Sequence, residues 1–217
     1  MNKIKTIEEA LEHIKDGMTI SVGGFLACGT PERLIDAIIE KGVKDITLIC
    51  NDTGFPERGV GKWVVKGMVK KVIASHVGTN PETGRLMNTG EMEVLLVPQG
   101  TLAEQVRAGG SGLGGILTPT GIGTVIEEGK QKINVNGKDF LLELPLRADV
   151  ALVKGSIVDK KGNVYYKKAT KNFNPLIATA ADLVIVEAEE LVEVGEIDPS
   201  DVMTPSIFVN MIVEGRK

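Results

Sequence analysis

The stretch Asp16-Gly17-Met18-Thr19-Ile20-Ser21-Val22-Gly23-Gly24-Phe25-Leu26-Ala27-Cys28-Gly29-Thr30-Pro31 constrains the fold more than any other part of this chain. The run from Met18 to Val22 predicts a buried strand. It breaks at two glycines, and Thr30 followed by Pro31 predicts a helix start with proline at the first helical position, where a missing N–H costs nothing. A strand that runs through a glycine turn into a helix leaves free backbone N–H groups and a helix N-terminus at one end of a sheet. Anions and extended polar ligands are bound at such ends. A plain βα turn that needs glycine only for φ above zero accounts for the same letters. The residues of this segment leave both readings open.

The neighbouring pattern makes the sheet a parallel one. Thr6-Ile7-Glu8-Glu9 reads as a capping box, with Ile7, Ala10, Leu11 and Ile14 on one face of a first helix and Gly17 just past its end. A helix over 31–41 faces Leu34, Ala37 and Ile38 to the core and stops at Gly42. A second buried strand is expected at 46–50 and further strands at 72–77 and 94–97, and the glycine-rich stretch 55–67 is ambiguous. Thr101-Leu102-Ala103-Glu104 reads as a second capping box, opening a helix to Ala108. Apolar strands alternating with helices predict an α/β fold: a mainly parallel open sheet covered by helices on both faces.

The C-terminal half adds β-hairpins to this plan. Asn136-Gly137, between Lys132 and Leu141, is the signal of a type I′ turn. A strand over 148–153, a second hairpin over 157–167 interrupted by Gly162-Asn163, a helix over 175–181 and a last central strand over 183–188 follow. With no internal repeat and no linker found, a single domain over 1–217 is expected.

Composition narrows the function. A chain of 217 residues, 42% hydrophobic and 25% charged, has the length and make-up to bury a core. A net charge of -4 gives no basic footprint, which disfavours nucleic acid. The apolar runs are far shorter than a membrane span, and the charged start from Met1 to Lys5 has no apolar region after it, so the expected location is cytoplasmic. Cys28 and Cys50 fit no zinc spacing and read as small buried hydrophobes. No metal is expected at His76, which reads as a structural hydrogen-bonding residue in the third strand; His13 reads as a surface residue and Trp63 as core or interface. Gly110-x-Gly112-x-x-Gly115 is a literal dinucleotide fingerprint, yet a helix precedes it and Thr118-Pro119 follows, so a mobile loop is the expectation instead.

Asp16-Gly17, Gly23-Gly24-Phe25, Gly29 and Pro31 together resemble the signature of the family I (3-oxoacid type) coenzyme A transferases, on their A (α) subunit. Asn51-Asp52-Thr53, Ser75 through Pro81, Val97 through Thr101, Arg107 through Gly112, Thr118 through Gly121 and Lys171 through Asn174 resemble the same family in the same order. The resemblance implies a ping-pong transfer of CoA between short-chain acyl-CoA and carboxylates through a glutamyl-CoA thioester, with CoA thioester as substrate and no separate cofactor. The attacking glutamate of the family lies in a Ser-Glu-Asn-Gly stretch on the B (β) subunit; that stretch is absent here, and Glu143, Glu187, Glu189 and Glu190 read as sheet-edge or surface charges. A B-subunit partner, in an A2B2 assembly, is implied. Gln99, placed at the carboxyl end of the sheet by the strand and Pro98 before it, would donate to the thioester oxyanion. Asn51 would meet the substrate carboxylate, and Gly23, Gly24, Phe25, Leu26, Ala27, Cys28 and Gly29 would contact CoA or shape the acyl pocket. A sugar-phosphate isomerase or sugar-phosphate-sensing module of similar architecture would also explain glycine-rich turns at strand ends, but not these motifs in register.

Overall fold

The structure is a computed structural model that describes residues 2–215; the ends of the expected 1–217 unit, Met1, Arg216 and Lys217, lie outside the described residues. Helix α1 (Ile7–Leu11) opens with the expected capping box: the Thr6 hydroxyl accepts from the Glu9 N–H, and the Glu9 carboxylate accepts from the Thr6 N–H. Strand β1 (Thr19–Val22) then leads into α2 (Glu32–Lys41), which Gly42 ends in the left-handed region. β2 (Ile46–Ile49), α3 (Gly61–Val65), β3 (Val69–Ala74), α4 (Pro81–Thr89) and β4 (Glu93–Leu96) continue the alternation. Helix α4 escaped the sequence reading, although Asn80 ahead of Pro81 caps it by accepting from the Glu82 N–H.

Next come α5 (Gln99–Ser111), β5 (Ile116–Thr118), β6 (Lys132–Val135), β7 (Lys138–Glu143), β8 (Ala148–Asp159), β9 (Val164–Tyr165), α6 (Asn174–Ile177), β10 (Ala181–Val192) and β11 (Met211–Glu214). The main sheet has the order β11-β10-β8-β1-β2-β3-β4, all parallel, with β9 antiparallel on the end of β8. A separate antiparallel sheet has the order β5-β7-β6, and both Asn136 and Gly137 take positive φ at its hairpin. The parallel sheet and the added hairpins agree with the expected fold class. One core layer gathers Leu34, Ile38, Leu48 and Trp63, whose indole N–H donates to the Ile35 carbonyl; the other gathers Leu102, Val153, Phe173 and Ile185's neighbour Val186. No helix among the described residues is long and apolar enough to cross a membrane.

Several expectations need correction, most of them for tertiary reasons. Helix α2 starts at Glu32, with Pro31 just outside it and no side-chain cap from Thr30. Instead the Leu34 N–H donates 3.0 Å to Glu187 on β10, which also holds Lys154 at 3.0 Å and is 2% exposed. Glu187 is thus a buried helix cap, and Glu143, 3% exposed between Lys130 and Gln105, is buried too; neither is the edge or surface charge expected. The capping box at Thr101 does not form, because Pro98 turns the chain from β4 so that α5 begins at Gln99. Strands β8 and β10 run to twelve residues each because they pair with one another along almost their whole length.

Gly109 and Gly110 fall inside α5, not in a loop. A Cβ on Gly109 would lie 2.0 Å from the Leu146 carbonyl oxygen, and one on Gly110 would lie 2.4 Å from Thr179 Oγ1. These glycines let α5 press against the backbone before β8 and against the turn after α6. Gly109→Ala is therefore expected to lower stability by about 2 kcal/mol, the usual cost of overpacking, despite the better helix propensity of alanine. Gly100→Ala, in the same helix with nothing within 4 Å, is expected to be neutral or slightly stabilising. Thermal unfolding of the two variants checks the contrast.

Candidate active site

Because β1, β2, β3 and β4 are parallel neighbours, the residues just past their ends share one edge of the sheet. Gly23 and Gly24 follow β1, Asn51 follows β2, Ser75 follows β3, and Gln99 follows β4 through Pro98. Their side chains and backbone form a continuous network. Asn51 Nδ2 donates 2.7 Å to the Gly24 carbonyl, and Gln99 Nε2 donates 2.7 Å to Asn51 Oδ1. The Ser75 hydroxyl faces both Gln99 Oε1 and the Asn51 carbonyl and can donate to one of them at a time. Asn51 is buried, whereas Gln99 is exposed, and the second hydrogen of its amide has no partner among the described residues.

Gln99, Asn51 and Phe25 open onto one cavity of about 680 Å³. Along α5 it is lined by Gln99, Ala103, Arg107 and Gly110, and across from them by Lys171, Asn172, Phe173 and Leu176. No carboxylate among the described residues lines it. Lys171 and Arg107 are exposed, Arg107 paired with Glu104 at 3.1 Å. What the walls offer is an oriented amide, two cations and an apolar surface.

The segment after β1 is built differently from a plain glycine turn. The Phe25 N–H donates to the Cys28 carbonyl at 3.0 Å and the Cys28 N–H to Phe25 at 2.8 Å, closing a two-residue turn. Leu26 and Ala27 sit in it at φ 48° and 61°, a conformation that side chains adopt at a cost of order 1 kcal/mol or more each. Asp52 holds the tip down by accepting from the Leu26 N–H at 3.0 Å and from the Gly54 N–H at 2.8 Å. The same device recurs after β2, where Phe55 and Arg58 exchange backbone hydrogen bonds. Gly24-Phe25-x-x-Cys28-Gly29 and Gly54-Phe55-x-x-Arg58-Gly59 thus share one turn design. The second copy has Pro56-Glu57 in place of Leu26-Ala27 and needs no positive φ there.

The seven residues assigned to this segment divide by position. Phe25, 50% exposed, lines the large cavity; Leu26 and Cys28 are exposed on the tip. Gly23, Gly24 and Ala27 line only a crevice of about 10 Å³, too small for a ligand group. A Cβ on Gly23 would lie 1.8 Å from Asn174 Oδ1, and one on Gly29 would lie 2.9 Å from the Thr170 backbone. Asn174 Nδ2 in turn donates to the Gly29 carbonyl at 2.8 Å. Close packing against 170–174 therefore requires these glycines, and Asn174 joins the site from far along the chain.

Cysteine and histidine follow their surroundings. Cys50 is buried, and burial with the nearby Asp52 charge pushes its thiol up, away from thiolate chemistry. Cys28 is exposed, contrary to expectation, because the left-handed pair before it swings it out of the core. His76 lies just beyond β3 and is exposed; its backbone N–H bonds to Asn51, and its ring makes no hydrogen bond among the described residues, so the structural role expected for it is not seen. No group of three or more His, Cys, Asp or Glu is placed to hold a metal among the described residues.

Comparison with known proteins agrees with this architecture. The family described as coenzyme A transferase matches residues 4–215. The acetate CoA-transferase subunit alpha of Escherichia coli K12 is 57% identical over 99% of this chain and 98% of its own length. The acetoacetyl-CoA:acetate/butyrate CoA transferase alpha subunit of Clostridium acetobutylicum is 55% identical over 98% of both. An acyl-CoA transferase of E. coli O157:H7, solved as a thioester complex with CoA, has the same fold at a TM-score of 0.84 and 22% identity; the match spans 98% of this chain and 47% of that one. Glutaconate CoA-transferase of Acidaminococcus fermentans gives 0.83 at 19% identity, over 98% of this chain and 75% of that one. An ordered amide at the carboxyl edge of a parallel sheet and a family match across nearly every residue point the same way: this chain belongs to the coenzyme A transferase family, as a chain of its alpha (A) type.

Proposed function

We propose that this chain, acting as one unit over 1–217, is the alpha half of a cytoplasmic CoA-transferase that exchanges CoA between short-chain acyl-CoA and carboxylates of the acetate, butyrate and acetoacetate class. A beta chain completes it, in an A2B2 assembly. The activities carried in the names of the E. coli and Clostridium relatives support this reading, and the sugar-phosphate alternative finds no support among the relatives. The observation that carries it is Gln99, fixed by Asn51 and Ser75 at the mouth of a cavity whose lining, among the described residues, holds amides and cations but no carboxylate.

In this mechanism a glutamate carboxylate of the beta chain attacks the acyl thioester carbonyl. The C–S bond breaks, CoA leaves as thiolate, and an acyl-glutamyl anhydride remains. The thiolate then attacks the glutamyl carbonyl, releasing the free carboxylate and leaving a glutamyl-CoA thioester. An acceptor carboxylate runs the same steps in reverse. Each attack builds negative charge on a carbonyl oxygen, and the unengaged amide hydrogen of Gln99 meets it there without reorganising, since the network already holds the amide. Asn51 keeps Gln99 in place and turns its own remaining amide hydrogen to the substrate carboxylate. Lys171 and Arg107 draw anionic substrate to the mouth. The exposed tip at Phe25, Leu26 and Cys28 meets CoA, while Gly23, Gly24, Ala27 and Gly29 set its shape.

Mixing the purified chains tests the reading. This chain alone is expected to transfer no CoA from acetoacetyl-CoA to acetate, and addition of the beta chain to restore transfer. Borohydride reduction of the complex during turnover should mark the beta chain. Turnover by this chain alone, or a reduced glutamate on it, would overturn the assignment.

A further inference from the structure

Helix α5 carries Gln99, Ala103, Arg107 and Gly110 to the wall of the same cavity. The first three are spaced four residues apart, so they lie on one face of the helix with roughly 5–6 Å between successive Cβ atoms. The row begins with an amide, passes a methyl group and reaches a guanidinium about 12 Å further along the axis. Past Arg107 the wall continues to Gly110, where α5 comes close to Thr179, with Leu176 and Phe173 across from it.

We propose that Ala103 is the residue of this chain that sets how long an acyl group the enzyme accepts. The inference rests on the reading of Gln99 as the donor to the thioester oxygen. A carbonyl anchored at Gln99 leaves its acyl chain one helical turn from Ala103. A butyryl chain is long enough to lie over that position and too short to reach Arg107. Ala103 is only partly buried and packs, as Leu176 does, against the second core layer. It is the smallest side chain on this row, so the space above it is what the acyl chain occupies. Phe173 and Leu176, on the wall across from α5, give that space apolar neighbours, which suits methylene groups. A larger residue at 103 takes the space that the outer methylenes of butyryl need and leaves the space for acetyl almost unchanged.

The test is made on the assembled alpha/beta enzyme, with acetate and butyrate as alternative acceptors of CoA from acetoacetyl-CoA. Ala103→Leu is expected to lower the butyrate-to-acetate ratio of kcat/KM about tenfold or more, with the acetate value held within about threefold; exclusion of two methylenes gives a factor of this order. Ala103→Val gives a smaller change in the same direction and stands in if the leucine variant does not assemble. An unchanged ratio, or an equal fall for both acids, would overturn the role of Ala103. Failure of the functional reading looks different: the unsubstituted complex would then transfer CoA to neither acid.

Discussion

Gln99→Ala in the assembled enzyme is expected to lower kcat by about a hundred- to a thousandfold, the effect of losing one oriented donor to an oxyanion, which is about 3 kcal/mol. The loss should fall mainly on kcat, because the amide interacts with an oxygen that carries full charge only in the transition state. The change should cost little stability. Gln99 is exposed, so water can take its place on Asn51 Oδ1, and Ser75 and Asn51 keep their bonds to the Asn51 carbonyl and the Gly24 carbonyl. Steady-state kinetics beside a thermal melt therefore separates catalysis from folding. Unchanged turnover would mean that this chain serves its partner only as a scaffold. Gln99→Glu makes a sharper version, since it keeps the shape but replaces the donor with an anion facing the developing charge.

Glu187→Ala is expected to have the largest effect on stability. The carboxylate is 2% exposed and holds two groups at once, the Leu34 N–H of α2 and the Lys154 ammonium of β8. Removing one partner of a buried pair costs about 3–5 kcal/mol. The Lys154 side chain keeps 18% of its surface and can draw water, which places the expected loss near the lower end, about 3 kcal/mol. For a chain of this size that is a fall in Tm of roughly 6–12 °C. Glu187→Gln keeps an acceptor for Leu34 and should lose less. A melt within 2 °C of the unsubstituted protein, taken roughly as the error of such a comparison, would show that α2 does not depend on this cap.

The two predictions differ in how legible their residues were. Gln99 stood out because everything that places it is local: an apolar strand, a proline and the start of a helix. Glu187 looked like an ordinary charge in Glu187-Ala188-Glu189-Glu190, and nothing near it in sequence marks it as buried. Its partner N–H is 153 residues away. Asn174 is alike, since its packing against Gly23 and Gly29 depends on the path of the chain between them. The turn design shared by Gly24-Phe25 and Gly54-Phe55 has two positions between that differ completely in sequence, so the matching backbone bonds reveal it better than the letters do.

By itself the sequence determined the elements whose energetics are local. The Thr6 capping box, the stop at Gly42, the turn at Asn136-Gly137 and the apolar runs of β1 and β2 each depend on neighbours a few residues away. It also determined the family, because motif order survives without coordinates. Tertiary structure alone decided the order β11-β10-β8-β1-β2-β3-β4, since parallel strands pair across long crossovers that leave no mark on either strand. It likewise decided which glycines permit close packing and which carboxylates are buried. Both depend on what a distant segment brings within contact, and a side chain's own neighbours in sequence carry no information about that.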